Sequence, residues 1–372
     1  MVLDFTSALY LGLDHGSRSL RPWTGLTTGI PAAMAPPPAA RRIGDTLALL
    51  QGCEAGTVAP STLHLFWDLC GLLGPGRNVI YVDDGVYPIG RWGVERAAAR
   101  GVPVLVFPGR ADVLKSLVEG SPFRGSRPIV VADGVCPHSG RPSPVAEYAA
   151  IVRKAGGRLV LDDTQALGIL GESPSMPAPY GRKGGGTCRY AGVGGRDIIL
   201  IASLAKGFGA PLAVMSGSAD FVERFERRSD TRVHCSPPSA AALNAAEHAM
   251  EQNRECGDAL RRRLAGLVRL FRSTASGLGL RVRGGLFPVQ SLAELPRPDV
   301  LALHGRLLRR GVRTVLRRSR RGSSGCISFV LTVRHSPADI YRAVEALSDA
   351  VAAGGMSVPA GSAPADRAPL RG

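Results

Sequence analysis

Lysine is scarce in this chain: Lys115, Lys154, Lys183 and Lys206 are the only four in 372 residues. Arginine therefore supplies nearly all of the positive side of a formal net charge of +16. The seven cysteines are scattered, odd in number and never arranged as Cys-x-x-Cys, which argues against a disulfide framework and against a zinc site. No apolar run approaches the roughly 20 residues that cross a bilayer. The opening Met-Val-Leu-Asp-Phe-Thr lacks the basic start and apolar stretch of a signal peptide, so the expected location is cytoplasmic. No Gly-Lys-Ser/Thr phosphate loop occurs. Gly192-Val-Gly194-Gly195 precedes an apolar run instead of following one, which removes a dinucleotide reading.

What is present is the pattern of a layered α/β protein. Apolar runs over Asn78–Asp84, Val102–Pro108, Pro128–Asp133, Arg158–Asp162, Ile198–Ser203 and Pro211–Ser216 predict strands buried on both faces. Segments such as Val145–Ala155 predict the helices between them. From about Ala240 the pattern changes. A long helix over roughly Ala240–Ser276 leads to shorter strands near Leu280–Val282, Val312–Leu316 and Cys326–Thr332. Ser336, followed by Pro337, is placed to cap a last helix. The expected organisation is an N-terminal segment over 1–40, a large domain over 41–240, a small α+β domain over 241–352 and a disordered tail over 353–372.

Two strand ends carry the chemistry. Arg158-Leu-Val-Leu-Asp162 ends in a carboxylate where open α/β sheets bind ligands. Such a carboxylate can hold a ring nitrogen protonated, although a strand-end Asp is also a common helix cap. Ile198-Ile-Leu-Ile-Ala-Ser203-Leu-Ala-Lys206-Gly207-Phe208-Gly209 puts one of the four lysines directly after a buried strand, among small residues. A desolvated lysine is an amine nucleophile toward an aldehyde. Ser203 can donate to a phosphate, and Gly207 and Gly209 permit close backbone approach. The bland alternative is a strand-end lysine that snorkels to solvent.

Leu161-Asp162-Asp163-Thr164-Gln165-Ala166-Leu167-Gly168 and Ser203-Leu-Ala-Lys206-Gly-Phe-Gly209 resemble two motifs of the α-oxoamine synthases, fold-type I enzymes that use pyridoxal 5'-phosphate (PLP). Thr6 through Leu13, Asp133 through Gly140 with Pro144, and His234-Cys-Ser236-Pro237-Pro238 resemble further family segments in the same order. The resemblance implies a mostly parallel mixed sheet in the large domain. It also implies that Lys206 holds PLP as a Schiff base, Asp162 faces the ring nitrogen and Ser203 binds the phosphate. Ser61 and Thr62 fall at the family's phosphate-binding turn, and Tyr87 falls where a ring stacks on the cofactor. Asp133 and Gln165 complete the cofactor's surroundings. Ser236 would reach the phosphate site of the partner in a homodimer.

Departures from the family narrow the substrate. Gln165 stands in place of a histidine, so it can donate a hydrogen bond but cannot carry a proton. Ala8 and Cys326 stand where the family grips a substrate carboxylate, and Pro137 replaces a serine. Either Arg334 or a residue of Arg317-Arg-Ser-Arg-Arg321 takes over that grip, or the amine donor is not a free amino acid and the PLP chemistry is different.

The leading reading is condensation of an amino donor with an acyl thioester of coenzyme A or of an acyl carrier protein, whose phosphates or acidic surface suit a basic enzyme. A PLP aminotransferase or another amine-transforming PLP enzyme is the second reading. A third, from another class, is a non-catalytic PLP fold or a nucleic-acid-binding protein using the arginines of Gly305–Arg321. No nucleic-acid-binding signature accompanies that stretch.

Overall fold

A computed structural model describes residues 2–136, 140–318 and 323–354. The chain forms two compact units, Ala8–Ala265 and a second built from Met1–Ser7 with Gly266–Gly372.

The larger unit is organised on a seven-stranded sheet. Its strands are β2 (Ala55–Ala59), β3 (Asn78–Asp83), β4 (Val104–Phe107), β5 (Arg127–Asp133), β6 (Arg158–Asp162), β7 (Ile198–Ser203) and β8 (Ala213–Gly217). They lie in the order β2-β8-β7-β6-β5-β3-β4. The five strands from β7 to β4 are parallel, and β8 runs antiparallel to both β7 and β2. Every residue of Ile198–Ala202 is buried because helices cover both faces, as the unbroken apolar run requires. One apolar layer packs Phe66, Val131, Ile199 and Phe225; the other packs Val130, Tyr148, Leu159 and Leu200.

The register decides where chemistry can occur. Asp133 is paired with Asp162, and Asp162 with Ile201, so the carboxyl ends of β5, β6 and β7 are flush. The helix that follows β2, Thr62–Gly71, starts directly after Ser61. Helix Pro88–Ala99 follows β3 and starts directly after Tyr87.

The smaller unit is a five-stranded sheet. Strand β1 (Leu3–Phe5) runs parallel to β11 (Val312–Arg318), which is antiparallel to β12 (Ser324–Val330). Strands β9 (Val289–Ser291) and β10 (Leu295–Pro296) both pair with β12. Phe5 stacks on His335 with ring centroids 4.2 Å apart, and Phe329 packs on both Phe5 and Phe271. His335 Nε2 donates to the carbonyl of Asp4 at 3.1 Å. The three residues of β1 were too few for a periodic signal.

Several expected elements differ in detail. The strand expected near Leu280–Val282 is absent: only an isolated bridge, Arg283 to Ser291, forms there, because Gly284 and Gly285 (φ +129° and +54°) turn the chain at once. The pairing strand in that region is β9. The long helix covers Ala240–Gly277, and the limit of the larger unit, Ala265, falls inside it, downstream of the boundary expected at residue 240. Arg306 and Arg309 lie in the helix before β11, Arg310 follows its last turn, and Arg313, Arg317 and Arg318 lie in β11; Arg320 and Arg321 lie outside the described residues, as do Pro137 and residues 355–372.

Helix Pro337–Ala352 begins with a reciprocal cap. Ser336 Oγ accepts from the Asp339 backbone N–H, and the Asp339 carboxylate accepts from the Ser336 N–H at 2.9 Å. Ser336→Ala is expected to lower stability by about 1 kcal/mol, read as a lower denaturation midpoint for this unit. An unchanged midpoint contradicts the assigned role of the cap.

Candidate active site

The carboxyl ends of the parallel strands gather three acidic side chains: Asp83, Asp133 and Asp162, all buried. Asp162 Oδ1 accepts from the Thr164 backbone N–H at 3.0 Å. Asp133 accepts from the Tyr87 backbone N–H at 3.2 and 3.3 Å through its two oxygens. Asp83 Oδ1 accepts from the Gly85 N–H at 2.7 Å. Lys206, half-buried in the turn after β7, is the cation that acts on Asp162 and Asp133. Its Nζ lies 5.8 Å from the centroid of the Tyr87 ring, which is 49% exposed.

The electrostatics follow from that inventory. Burial drives the Lys206 amine below its ordinary pKa, against the pull of Asp162 and Asp133. Burial also raises Asp162. Asp133 is pushed up to about 8, first by burial and then by the neighbouring charge of Asp162. Ionising both buried carboxyls beside one amine would leave the cluster short of positive charge, which burial resists by holding the Asp133 proton up to about pH 8. A ligand bearing a protonated nitrogen would correct this.

A set of backbone contacts fixes the two loops that carry these groups. Thr164 Oγ1 accepts from the Ser203 N–H at 3.0 Å, joining the ends of β6 and β7. Gly168 (φ +85°) abuts Gly207, and a Cβ on Gly207 would lie 2.4 Å from the Leu167 carbonyl oxygen. A Cβ on Gly209 (φ +64°) would lie 1.9 Å from the Leu13 oxygen. These two glycines thus allow loop to meet loop, the close backbone approach expected of them. Asp163 is buried and accepts from the Thr187 N–H and, at 2.5 Å, from its hydroxyl. Arg261 is 1% exposed and donates to the Gly168 carbonyl at 2.8 Å, to Asn253 at 2.8 Å and to Asp258 at 2.6 Å.

The structure brings Lys206, Asp162, Asp133, Ser203 and Tyr87 together through these strand ends. Gln165 is half-buried and accepts a 2.7 Å hydrogen bond from Tyr10 Oη through its carbonyl oxygen, which leaves its amide NH₂ as the outward donor. Ser61 precedes the first turn of helix Thr62–Gly71, and its Oγ lies 2.8 Å from His64 Nδ1. No side chain among the described residues caps that helix start, so its first backbone N–H groups lack intrahelical partners. Ser203 Oγ accepts from the Ala205 N–H at 3.2 Å. Ser236 is exposed in the loop before the long helix, and no hydrogen bond among the described residues joins it to the cluster.

Asp83, Thr164, Tyr10 and Arg261 were not assigned roles from sequence. Arg261 sits in a run of three arginines, which suggests a solvated face. The signal that could have exposed it is its spacing from the buried Leu264, Ala265 and Val268, on one helical stripe.

In the smaller unit, Arg317 stands directly across from Cys326 in the β11–β12 register, and Cys326 is buried. Arg317 Nη2 donates to Ser291 Oγ at 3.1 Å, and that hydroxyl lies 2.8 Å from Ser328 Oγ.

Fold and site together define a PLP-type transferase architecture, and the chain belongs to the aminotransferase class I and II family, whose model matches residues 73–347. Among curated proteins it is similar to 8-amino-7-oxononanoate synthase of Pseudomonas aeruginosa, 29% identical over 225 residues that make up 59% of this chain and 53% of that protein. The same enzyme of Pseudescherichia vulneris is 30% identical over 226 residues, 59% of this chain and 55% of that protein. The chain thus spans about half the length of the curated relatives it matches. Two solved structures share the fold. Sphingomonas wittichii serine palmitoyltransferase has a TM-score of 0.82, with 17% identity over 95% of this chain and 88% of the other. The 8-amino-7-oxononanoate synthase of Francisella tularensis has a TM-score of 0.74, with 17% identity over 95% and 99%. Another neighbour, a serine palmitoyltransferase variant from S. paucimobilis, was solved with a PLP–myriocin adduct. These relatives are α-oxoamine synthases, the family that the Asp162 and Lys206 motifs resemble.

The raised Asp133 carboxyl sets a pH dependence. Its proton is favoured by folding, so that contribution is complete below pH ~4 and is lost as pH rises through about 8. Asp133→Asn removes it. In ligand-free protein the melting temperature of the variant, relative to the parent, is therefore expected to rise between pH 5 and pH 9. A difference that stays constant across that range contradicts the buried-pair account.

Proposed function

We propose that this protein is a PLP-dependent acyltransferase of the α-oxoamine synthase kind, which condenses an amino acid-derived donor with an acyl thioester in a biosynthetic route. The observation that carries the reading is the Lys206 amine set against buried Asp162 and Asp133 at the ends of three adjacent strands. The residues present fit the cofactor. A protonated ring nitrogen would let the buried carboxyls ionise, Tyr87 offers an exposed ring face beside the amine, and helix Thr62–Gly71 presents free N–H groups next to Ser61.

When bound, pyridoxal phosphate supplies an aldehyde for capturing an amine and a protonated ring that withdraws electrons from the bond being changed. Lys206 Nζ would hold the aldehyde carbon and, once displaced by the donor's amine, take and return a proton. Burial lowers its pKa, which raises the share of the amine that is neutral and nucleophilic. Asp162 would hold the ring nitrogen protonated, and Asp133 anchors the Tyr87 backbone beneath the exposed ring. Gln165, oriented by Tyr10, would donate its NH₂ to the cofactor's phenolic oxygen. Ser61, Thr62 and Ser203 would bind the phosphate. Ser236 is assigned to the phosphate site of the partner in a homodimer, which fits its exposure and its separation from its own chain's cluster.

The amino donor retains a carboxylate on this reading. Ala8 and Cys326 offer no cation, but Arg317 keeps a guanidinium across the strand pair from Cys326. The protein is assigned to the cytoplasm. No helix among the described residues is long and apolar enough to cross a membrane.

The test uses protein loaded with PLP. A visible absorption band is expected in the parent and is expected to vanish in Lys206→Ala. Carbon–carbon bond formation, followed by thiol release, is expected only when an amino acid and an acyl thioester are both supplied. Amino-group transfer to a keto acid without any thioester would identify an aminotransferase instead. Absence of the band would remove the cofactor from the account.

A further inference from the structure

The N-terminal segment of the larger unit touches both loops of the cluster. Tyr10 orients Gln165 in the Asp162 loop, and the Leu13 carbonyl meets Gly209 in the Lys206 turn. The Leu13 side chain packs against the apolar cluster that holds Leu204, Phe208 and Leu212. His15 then reaches the turn itself: its Nε2 lies 2.7 Å from the carbonyl oxygen of Phe208, which follows Lys206 and Gly207. Its other ring nitrogen, Nδ1, lies 3.0 Å from Nδ1 of His248 in the long helix. His15 holds a left-handed backbone, φ +43°, which only Ser173 and Lys183 share among the described non-glycine residues. Such a conformation persists where surrounding contacts over-determine it.

A carbonyl oxygen only accepts, so His15 Nε2 carries a hydrogen. Two facing ring nitrogens need one proton between them, supplied by either ring. The pair therefore holds when both rings are neutral, and also when it carries one extra proton. A second extra proton sets N–H against N–H across 3.0 Å, between two positive rings. We propose that His15 and His248 form a proton-sensitive clasp that positions the Lys206 turn and opens when both rings are charged. The clasp stands on the ligand-free geometry, and its effect on Lys206 chemistry rests on the reading of Lys206 as the amine that carries PLP.

The surrounding charges give a second proton little relief. Burial lowers the His15 pKa below its ordinary 6.5, opposed by the Phe208 carbonyl; His248 lowers it further and Asp14 raises it. On the long helix, Glu247 adjoins His248 but is held by Arg21 and by Arg42 of helix Pro38–Gln51, and Glu251 lies 3.8 Å from Arg254. Lys206 is the titratable group of the turn itself, and its charge has the same sign as the rings. Folding thus favours a neutral His15. That contribution is complete above the ordinary 6.5 and is lost as pH falls through the lower value of the folded protein.

The experiment compares the full-length parent with His15→Gln, His248→Gln and His15→Ala. Either glutamine keeps a donor and an acceptor for the clasp but cannot take up a proton. Leu204, Phe208, Ala210 and Leu212 all donate backbone hydrogen bonds within the turn, so their amides report its opening. Their hydrogen exchange is followed in ligand-free protein from pH 8 to pH 5, corrected for intrinsic pH dependence, with the β3 amides as internal reference. In the parent, exchange of the turn relative to β3 is expected to rise about tenfold or more between pH 7 and pH 5. Both glutamine variants are expected to stay flat, and His15→Ala to exchange fast throughout. In PLP-loaded parent the visible band is expected to weaken over the same interval, and to hold in the glutamine variants.

Exchange in the parent that ignores pH would overturn the proposal. So would the same pH dependence in either glutamine variant, or turn exchange in His15→Ala as slow as the parent's. The exchange arm requires no cofactor. Absence of the PLP band at every pH would therefore defeat the functional reading while leaving the clasp measurable. A turn that opens with acid beneath an unchanged band would defeat the positioning of Lys206 alone.

Discussion

Asp133 and Asp162 are neighbours in the strand register, both are buried, and the amine that acts on them both is Lys206. Bringing two carboxylates out of water side by side costs several kcal/mol unless cations or hydrogen bonds compensate. The Tyr87 and Thr164 N–H groups and the lysine provide part of that compensation. What remains suits a protonated ring nitrogen. On the proposed reading that imbalance favours a cationic heterocycle, while burial, acting against the pull of the two carboxyls, lowers the Lys206 pKa toward a neutral, nucleophilic amine.

The rest of the larger unit holds this arrangement in place. Parallel pairing sets the strand ends flush, the Gly168–Gly207 contact locks the Asp162 loop to the Lys206 turn, and Thr164 joins them by a hydrogen bond. Arg261 then ties the Gly168 carbonyl to the long helix. Asp163, although it adjoins Asp162 in sequence, does a different job: its carboxylate is occupied by Thr187. Burial gives it a raised pKa of about 7, yet its partners mark it as structural. A perturbed pKa is therefore not by itself a sign of catalysis here.

Much of this was legible in the chain. Unbroken runs such as Ile198–Ala202 announce strands covered on both faces, and the Asp162 and Lys206 motifs fall at the carboxyl ends of two of them. Ser336 and Pro337 announce the last helix, which the reciprocal cap confirms. What was not legible depends on register and long-range contact. The pairing of Asp133 with Asp162 needs the strand order, and the bond from Tyr10 to Gln165 spans 155 positions. Strand β1 is too short to show a period, and the strand expected near Leu280 yields to a glycine turn. Gly207 and Gly209 were expected to permit close backbone approach, but only the structure shows that their partners are the Leu167–Gly168 and Leu13 backbones.

The central claim is that Lys206, alone among the four lysines, carries the cofactor. Borohydride reduction of the PLP-loaded protein, followed by peptide mapping, tests it most directly. The account predicts a phosphopyridoxyl group on Lys206 and none on Lys115, Lys154 or Lys183. Label spread over those lysines, or absent from Lys206, would contradict it.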